Sequence, residues 1–166
     1  YADSTPGEGS RFTVLLPRLE DSNEVDGDTS PHAAPQGGTE TILLVEDDPR
    51  VRSVVRCQLE RQGYTVRDAP NGVEAIRIAT APEERIDLVL TDVVMPELSG
   101  RALAEQLAAS RPELRVVYMS GYTDDEILRR GLLQPGTTYI EKPFTLARLA
   151  DALRQALDGP RPTRTA

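Results

Sequence analysis

Five short runs predicted to form strands, separated by segments of helical periodicity, restrict the fold of this chain more than any other feature of its sequence. The runs occupy residues 41–46, 64–68, 86–91, 115–119 and 138–141. Two of them, 41–46 and 86–91, are rich in apolar residues, which is typical of strands buried on both faces. Because strands that alternate with helices form parallel sheets, the pattern predicts a flavodoxin-like, doubly wound α/β fold. We expect a five-stranded parallel sheet in the order 2-1-3-4-5, with helices on both faces.

The helical segments between the runs are indicated by apolar spacing and by start and stop residues. Pro49 and the Asn71–Gly72 turn mark two helix starts, and Gly63 marks the end of the first helix. A short polar helix is expected near 124–130. The apolar residues that indicate these helices by their spacing are Val51, Val54, Val55, Leu59, Val73, Ile76, Leu103, Leu107, and, on one face of the last helix, Leu146, Leu149, Leu153 and Leu157. Cys57 lies in the first helix, where we expect it to pack rather than react.

The segment before the first run differs in composition. Residues 10–17 alternate apolar and polar side chains and predict one strand, whereas residues 20–39 are rich in acidic, Gly, Pro and hydroxyl residues and predict a disordered linker. We expect the strand to have no partner. The chain begins with Tyr1 and is interpreted as a piece of a longer polypeptide. The predicted domains are residues 1–19, the linker 20–39, a folded domain at 40–158 and a tail at 159–166.

Charge and composition exclude several classes of function. The net charge is −8 and the sequence pI is about 4.7, so a basic nucleic-acid-binding face is not expected. No apolar run reaches the roughly 20 residues that a transmembrane helix needs. A single cysteine excludes an internal disulfide and fits a reducing compartment. We therefore expect a cytoplasmic domain without DNA binding, and a membrane anchor elsewhere in the parent chain stays open.

Polar side chains collect at the carboxyl ends of the predicted strands. These are residues 46–48, which are all acidic, together with Asp92, Ser120 and Lys142. In doubly wound sheets the carboxyl ends of the strands form the ligand site. Carboxylates suit Mg²⁺, which prefers oxygen ligands, and an ammonium group suits an anion beside it. The pattern predicts a site that holds a divalent cation and an anionic group together.

Four motifs carry a resemblance to a known family, the receiver domains of bacterial response regulators and hybrid sensor kinases. They are residues 43–48, 87–96 with Gly100, 119–122 and 139–144. The resemblance covers residues 40–158. It implies a phosphoacceptor that takes a phosphoryl group from phosphohistidine and signals by a conformational change.

The family's metal and phosphoryl chemistry is carried over residue by residue. The resemblance implies that Asp92 is the phosphoacceptor. It implies that Mg²⁺ binds Asp92, Asp47 directly, Glu46 through water and the main-chain carbonyl of Val94. Asp48 is interpreted instead as the start of the first helix, where a negative charge suits the helix dipole.

The remaining implied roles concern switching and phosphoryl lifetime. Ser120 matches the switch hydroxyl, Tyr139 the switch aromatic, and Lys142 the lysine that pairs with the phosphoryl group. The bond between Lys142 and Pro143 matches one that is cis in the family. Val94 and Tyr122 flank the path of a hydrolytic water, and we expect them to modulate the lifetime of the phosphorylated form.

A second, shorter resemblance concerns residues 7–17, which are similar to the last glycine-rich box and final strand of histidine-kinase ATPase domains. It implies that the parent chain is a hybrid histidine protein kinase and that this piece does not bind ATP. The piece would then be no enzyme beyond catalysing its own aspartyl phosphorylation and dephosphorylation. Its expected partner is a histidine kinase or histidine phosphotransfer domain, in cis or in trans.

Two alternatives remain on sequence grounds. A pseudo-receiver would bind partners without being phosphorylated, and it would lack an acid, the hydroxyl or the lysine; none is missing. A metal-dependent phosphatase would need a general acid two residues after the nucleophile, where this chain has the apolar Val94.

Overall fold

A computed structural model of the chain describes residues 2–5, 7, 9–13, 37–121 and 137–159. The chain divides into two compact units, residues 1–32 and residues 33–166. Within the described ranges, no helix is both long and apolar enough to cross a membrane. The helix predicted near 124–130 lies outside these ranges.

The first unit contains a β-hairpin rather than a lone strand. Strand β1 (Ala2–Thr5) pairs antiparallel with β2 (Gly9–Phe12). Gly7, at φ 85°, lies in the connecting turn, and such a positive φ is readily adopted by glycine. The expectation of a strand without a partner was therefore wrong. The partner was missed because β1 consists of small and polar residues that carry no apolar alternation.

The second unit confirms the predicted α/β fold. Its strands are β3 (Thr41–Val45), β4 (Thr65–Ala69), β5 (Leu88–Asp92), β6 (Arg115–Ser120) and β7 (Tyr139–Glu141). All pairings are parallel, in the order β4-β3-β5-β6-β7. Counted from β3, this is the predicted order 2-1-3-4-5. The described helices are α1 (Pro49–Arg61), α2 (Gly72–Ala79), α3 (Gly100–Ser110) and α4 (Leu146–Asp158).

Each face of the sheet carries its own core, because successive side chains of a strand point to opposite faces. In β3, Ile42 and Leu44 pack with residues of α1 and α4. Leu43 and Val45 instead pack with residues of α2 and α3. All four of these side chains are fully buried. This double burial explains why β3 is a continuous apolar run.

Several apolar helical residues are exposed. Val54, Val73 and Leu146 are 58%, 60% and 39% exposed, although each lies at helical spacing with other apolar residues. Cys57 is also exposed, so its packing interpretation was wrong. It follows Val55 by two residues, or about 200° around a helix of 3.6 residues per turn, and so faces away from the sheet.

The ends of α1 match their predicted signals. The Asp48 side chain accepts hydrogen bonds from the backbone N–H groups of Arg50 and Val51, which makes Asp48 the N-cap. Gly63 follows the helix with φ 92°, a conformation that favours glycine. The stretch just before β3 is also attached to this unit, because Gly38 donates its N–H to the carbonyl of Gln62. The predicted domain boundary at residue 40 stays a prediction.

Candidate functional site

The site lies at one edge of the sheet because the parallel strands end in register. Val45 of β3 pairs with Thr91 of β5, and Asp92 then pairs with Met119 of β6. Ser120 pairs with Glu141 at the end of β7. The residues that follow these pairs therefore meet at the carboxyl edge, as the sequence pattern predicted.

Lys142 joins the acidic residues of two strands. Its Nζ lies 2.5 Å from Glu46 Oε2 and 2.7 Å from Asp92 Oδ2. The side chains of Glu46, Asp92 and Lys142 are 3%, 16% and 21% exposed. The ammonium group is thus shared by two carboxylates in a largely desolvated place, where charge-assisted hydrogen bonds are strong.

The pKa shifts follow from burial and from this ion pair. Burial raises the pKa of the Glu46 carboxyl, and the hydrogen bond and charge of Lys142 offset only part of that rise. For Lys142, burial lowers the pKa, but hydrogen bonds to Asp92 and Glu46 and their charges outweigh it and raise it. The two shifts disagree about Glu46. Its own raised pKa favours a neutral carboxyl group, whereas the raised pKa of Lys142 arises from pairing with an ionised Glu46. The short contacts on both acids support the ionised pair, with Lys142 as a cation.

Three carboxyl groups form a group that fits a hard cation. Glu46, Asp47 and Asp92 each offer an oxygen, and these oxygens lie within 4.8 Å of one another. Glu46 is buried, Asp92 is half-buried and Asp47 is exposed. An all-oxygen set with one exposed side suits Mg²⁺, which keeps several of its waters. Asp48 is not part of this group. Its carboxylate caps α1, and the hydrogen bonds from Arg50 and Val51 lower its pKa.

The other sequence-predicted residues are placed as follows. Ser120 is buried at the end of β6, and Tyr139 is half-buried and pairs with Tyr118. Val94 is 50% exposed, and its N–H donates to Asp92 Oδ1 at 3.2 Å. The peptide bond between Lys142 and Pro143 is cis. Tyr122 lies outside the described residues.

Two contacts at this edge were not predicted from the sequence, although Gly100 itself belongs to one of the four motifs. Arg52 of α1 donates from Nη1 to the carbonyl oxygen of Glu46 at 2.6 Å, and its position six residues after the acid was the available signal. Gly100, at the start of α3, lies against the backbone of Asp92. A Cβ on Gly100 would lie 2.1 Å from the carbonyl oxygen of Asp92. Only a residue without a side chain fits there.

Gly100→Ala is therefore expected to destabilise the domain by about 2 kcal/mol, because the clash is with backbone that must move. Gly121→Ala is a matched control, since a Cβ there would meet nothing within 4 Å. We expect that control to stay within about 0.5 kcal/mol of the parent chain. Urea unfolding of the three proteins measures the difference. Equal stability of the two variants would contradict the close approach at Asp92.

Known proteins provide independent comparisons. The family model of the response regulator receiver domain matches residues 42–154. The chain is 35% identical over 167 residues to the sensor kinase CckA of Brucella abortus, which covers 95% of this chain. The chain spans 18% of the length of that kinase.

Solved structures give the same relationship. The crystal structure of the receiver domain from the hybrid histidine kinase CckA matches with a TM-score of 0.59 and 34% identity, covering 70% of this chain and 98% of that one. The receiver domain of a sensor histidine kinase of Pseudomonas aeruginosa, which has a magnesium ion in its active-site cleft, matches with a TM-score of 0.65 and 28% identity. The match covers 74% of this chain and 100% of the Pseudomonas aeruginosa domain. The chain therefore belongs to the response regulator receiver domain family of two-component signalling.

Proposed function

We propose that this domain accepts a phosphoryl group from phosphohistidine onto Asp92 with the help of Mg²⁺, and signals by a change of conformation. The observation that carries the proposal is the arrangement around Asp92. One oxygen of this carboxylate contacts Lys142, and the group lies within reach of two further acids. A nucleophilic carboxylate, a cation-binding acidic group and a fixed ammonium are the parts that phosphoryl transfer requires.

The residues around Asp92 have two tasks, which are to position its carboxylate and to balance the charge of the phosphoryl group. Asp92 is held at both oxygens, by the N–H of Val94 and by the ammonium group of Lys142. A carboxylate oxygen of Asp92 would form the new bond to phosphorus while the N–P bond of the donor histidine breaks. The imidazole would leave with the electron pair of that bond. Lys142 would then neutralise charge on the phosphoryl oxygens, with no proton transfer needed at Asp92.

The metal would be held by Asp47 and Asp92, by Glu46 through water and by the carbonyl oxygen of Val94. When bound, Mg²⁺ would neutralise the negative charge that the acids and the phosphoryl group bring together. The three acids outnumber the one lysine beside them, and a divalent cation would balance the remaining negative charge.

The signalling step is proposed for Ser120 and Tyr139. The buried Ser120 hydroxyl ends the strand beside Asp92, where it could donate a hydrogen bond to a phosphoryl oxygen. Tyr139 begins the neighbouring strand β7. A shift of the hydroxyl toward the phosphoryl group and of the ring inward would convert a local charge into a new surface.

Receiver domains partner with histidine kinases or phosphotransferases, and we propose such a donor for this chain. The relative CckA is a sensor kinase, which supports a hybrid kinase as the parent protein. In this proposal the domain catalyses only its own phosphorylation and dephosphorylation. DNA and ATP are not proposed as ligands of this piece.

The proposal is tested by the dependence of labelling on Mg²⁺. Acetyl phosphate is expected to phosphorylate the chain with Mg²⁺ present and not after chelation. Asp47→Ala is expected to weaken Mg²⁺ binding by at least about tenfold. The binding is measured from the amide shifts of Asp92 during a Mg²⁺ titration. Asp48→Ala is the control, because it removes a neighbouring acid that only caps α1. Unchanged binding in Asp47→Ala would contradict the metal assignment, and unlabelled protein with Mg²⁺ bound would favour the pseudo-receiver alternative.

A further inference from the structure

Arg52 connects the helix α1 to the backbone of residues 46–48, the acidic turn that follows β3. Its Nη1 donates to the Glu46 carbonyl oxygen at 2.6 Å and approaches that of Asp47 at 3.4 Å. Its Nε lies 3.4 Å from Oδ2 of Asp68 on β4. The Arg52 side chain is 18% exposed, so the guanidinium is largely enclosed by these three acceptors.

The turn needs such a donor because it lies just beyond a strand. β3 ends at Val45, and the N–H of Glu46 still bonds the carbonyl of Ala69 at 3.2 Å. The carbonyl of the buried Glu46 needs a hydrogen-bond partner, and Nη1 of Arg52 provides one.

Arg56 lies one turn further along α1 and provides an internal comparison. Its guanidinium pairs with the same Asp68 at 2.5 Å and with Glu60 at 2.8 Å. Arg52 and Arg56 thus share a helix, a charge and an acidic partner. They differ in the hydrogen bond to the acidic turn.

We propose that Arg52 is a positioning residue for the metal site, fixing the backbone of Glu46 and Asp47 so that their carboxylates face Asp92. This inference rests on the proposed function, because it assumes that these acids bind Mg²⁺. Glu46 and Asp47 are adjacent in the chain, and the same Nη1 contacts both carbonyl oxygens, so this nitrogen restrains the backbone from which both carboxylates extend. Asp68 fixes the guanidinium from the neighbouring strand.

The direction of the change in Mg²⁺ affinity distinguishes a positioning role of Arg52 from a purely electrostatic one. Arg52 is a cation close to a cation-binding site, and removing a like charge would by Coulomb's law strengthen Mg²⁺ binding. Loss of the contacts from Arg52 to the two carbonyl oxygens would instead loosen the turn and weaken Mg²⁺ binding. A charge effect and a positioning effect therefore predict opposite changes in the same dissociation constant.

The experiment compares the full chain with Arg52→Ala, Arg52→Lys and Arg56→Ala. Mg²⁺ dissociation constants come from amide shifts, and urea unfolding gives the stability of each protein. We expect about tenfold weaker Mg²⁺ binding in Arg52→Ala, as for other residues that orient metal ligands. Arg52→Lys should be intermediate, because a lysine keeps the charge but lacks the planar guanidinium. Arg56→Ala should stay within about twofold of the parent chain, as expected for an exposed ion pair.

A readout without metal tests the turn directly. The N–H of Asp48 donates to Glu46 Oε1 at 3.3 Å, so its hydrogen exchange reports how firmly the Glu46 side chain is held. In Mg²⁺-free protein this amide should exchange faster in Arg52→Ala than in Arg56→Ala.

Unchanged or tighter Mg²⁺ binding in Arg52→Ala would overturn the positioning role. Equal weakening in Arg52→Ala and Arg56→Ala, with equal loss of stability, would also overturn it, because the effect would then be structural. Failure of the parent chain to bind Mg²⁺ would instead overturn the proposed metal site, and the inference with it.

Discussion

Asp92→Asn is expected to abolish phosphorylation of the chain by acetyl phosphate and Mg²⁺. The amide keeps the shape of the side chain and an oxygen that can still accept from Lys142. It lacks the negative charge that makes a carboxylate a nucleophile. We expect no label above background, measured as phosphate on the protein that hydroxylamine releases, as it does from an acyl phosphate. Asp151→Asn, which changes an exposed carboxylate of α4, should be labelled like the parent chain.

Equal labelling of Asp92→Asn and the parent chain would show that another group accepts the phosphate. The unfolding midpoint of Asp92→Asn checks that the variant is folded. Because Asn relieves repulsion among the three acids, we expect this variant to be no less stable without Mg²⁺ than the parent chain.

Lys142→Met is expected to lower the rate of phosphorylation by about 100-fold, the usual effect of removing one donor that stabilises a transition state. Methionine preserves the length of the side chain but leaves Glu46 and Asp92 without their shared cation. The raised pKa of Lys142 means that the parent ammonium stays charged throughout the neutral range. Initial rates at saturating Mg²⁺ measure the loss. Arg148→Met, which removes an exposed cation from α4, is the control.

A change in Mg²⁺ affinity distinguishes the two ways in which Lys142→Met could act. Removing a cation from the site should leave Mg²⁺ binding as tight as before or tighter. A slow variant that binds Mg²⁺ well would therefore have lost phosphoryl stabilisation. A variant with the parent rate would contradict a role of Lys142 in the reaction.

The sheet could be predicted because burial on both faces leaves a strong pattern. Ile42, Leu43, Leu44 and Val45 form an unbroken apolar run since neighbours pack into opposite cores. The burial of individual helix residues could not be predicted in the same way, because only one face of a helix is buried. Val54 is exposed although Val55, its neighbour in sequence, is buried, and apolar identity alone does not distinguish the two.

The group of acidic residues at the carboxyl edge of the sheet could be predicted, because the prediction requires only the positions of the strand ends. Glu46 and Asp92 follow apolar runs directly, and parallel strands bring such positions together. Arg52 and Gly100 could not be predicted this way, because their roles depend on three-dimensional approach. An arginine early in a helix is typical of a solvated surface, and the bend of Arg52 back to the Glu46 carbonyl is visible only in the fold. The contact of Gly100 with the Asp92 carbonyl is likewise set by the loop between β5 and α3.

Phosphorylation at Asp92 is tested most directly by locating the phosphoryl group on the unaltered chain. After incubation with acetyl phosphate and Mg²⁺, the acyl phosphate can be reduced with borohydride, which converts the modified aspartate to homoserine. Peptide mapping by mass spectrometry then identifies the modified residue. We expect conversion at Asp92 alone. Conversion at Asp47 or Asp48, or no conversion at any aspartate while Mg²⁺ is bound, would contradict this expectation.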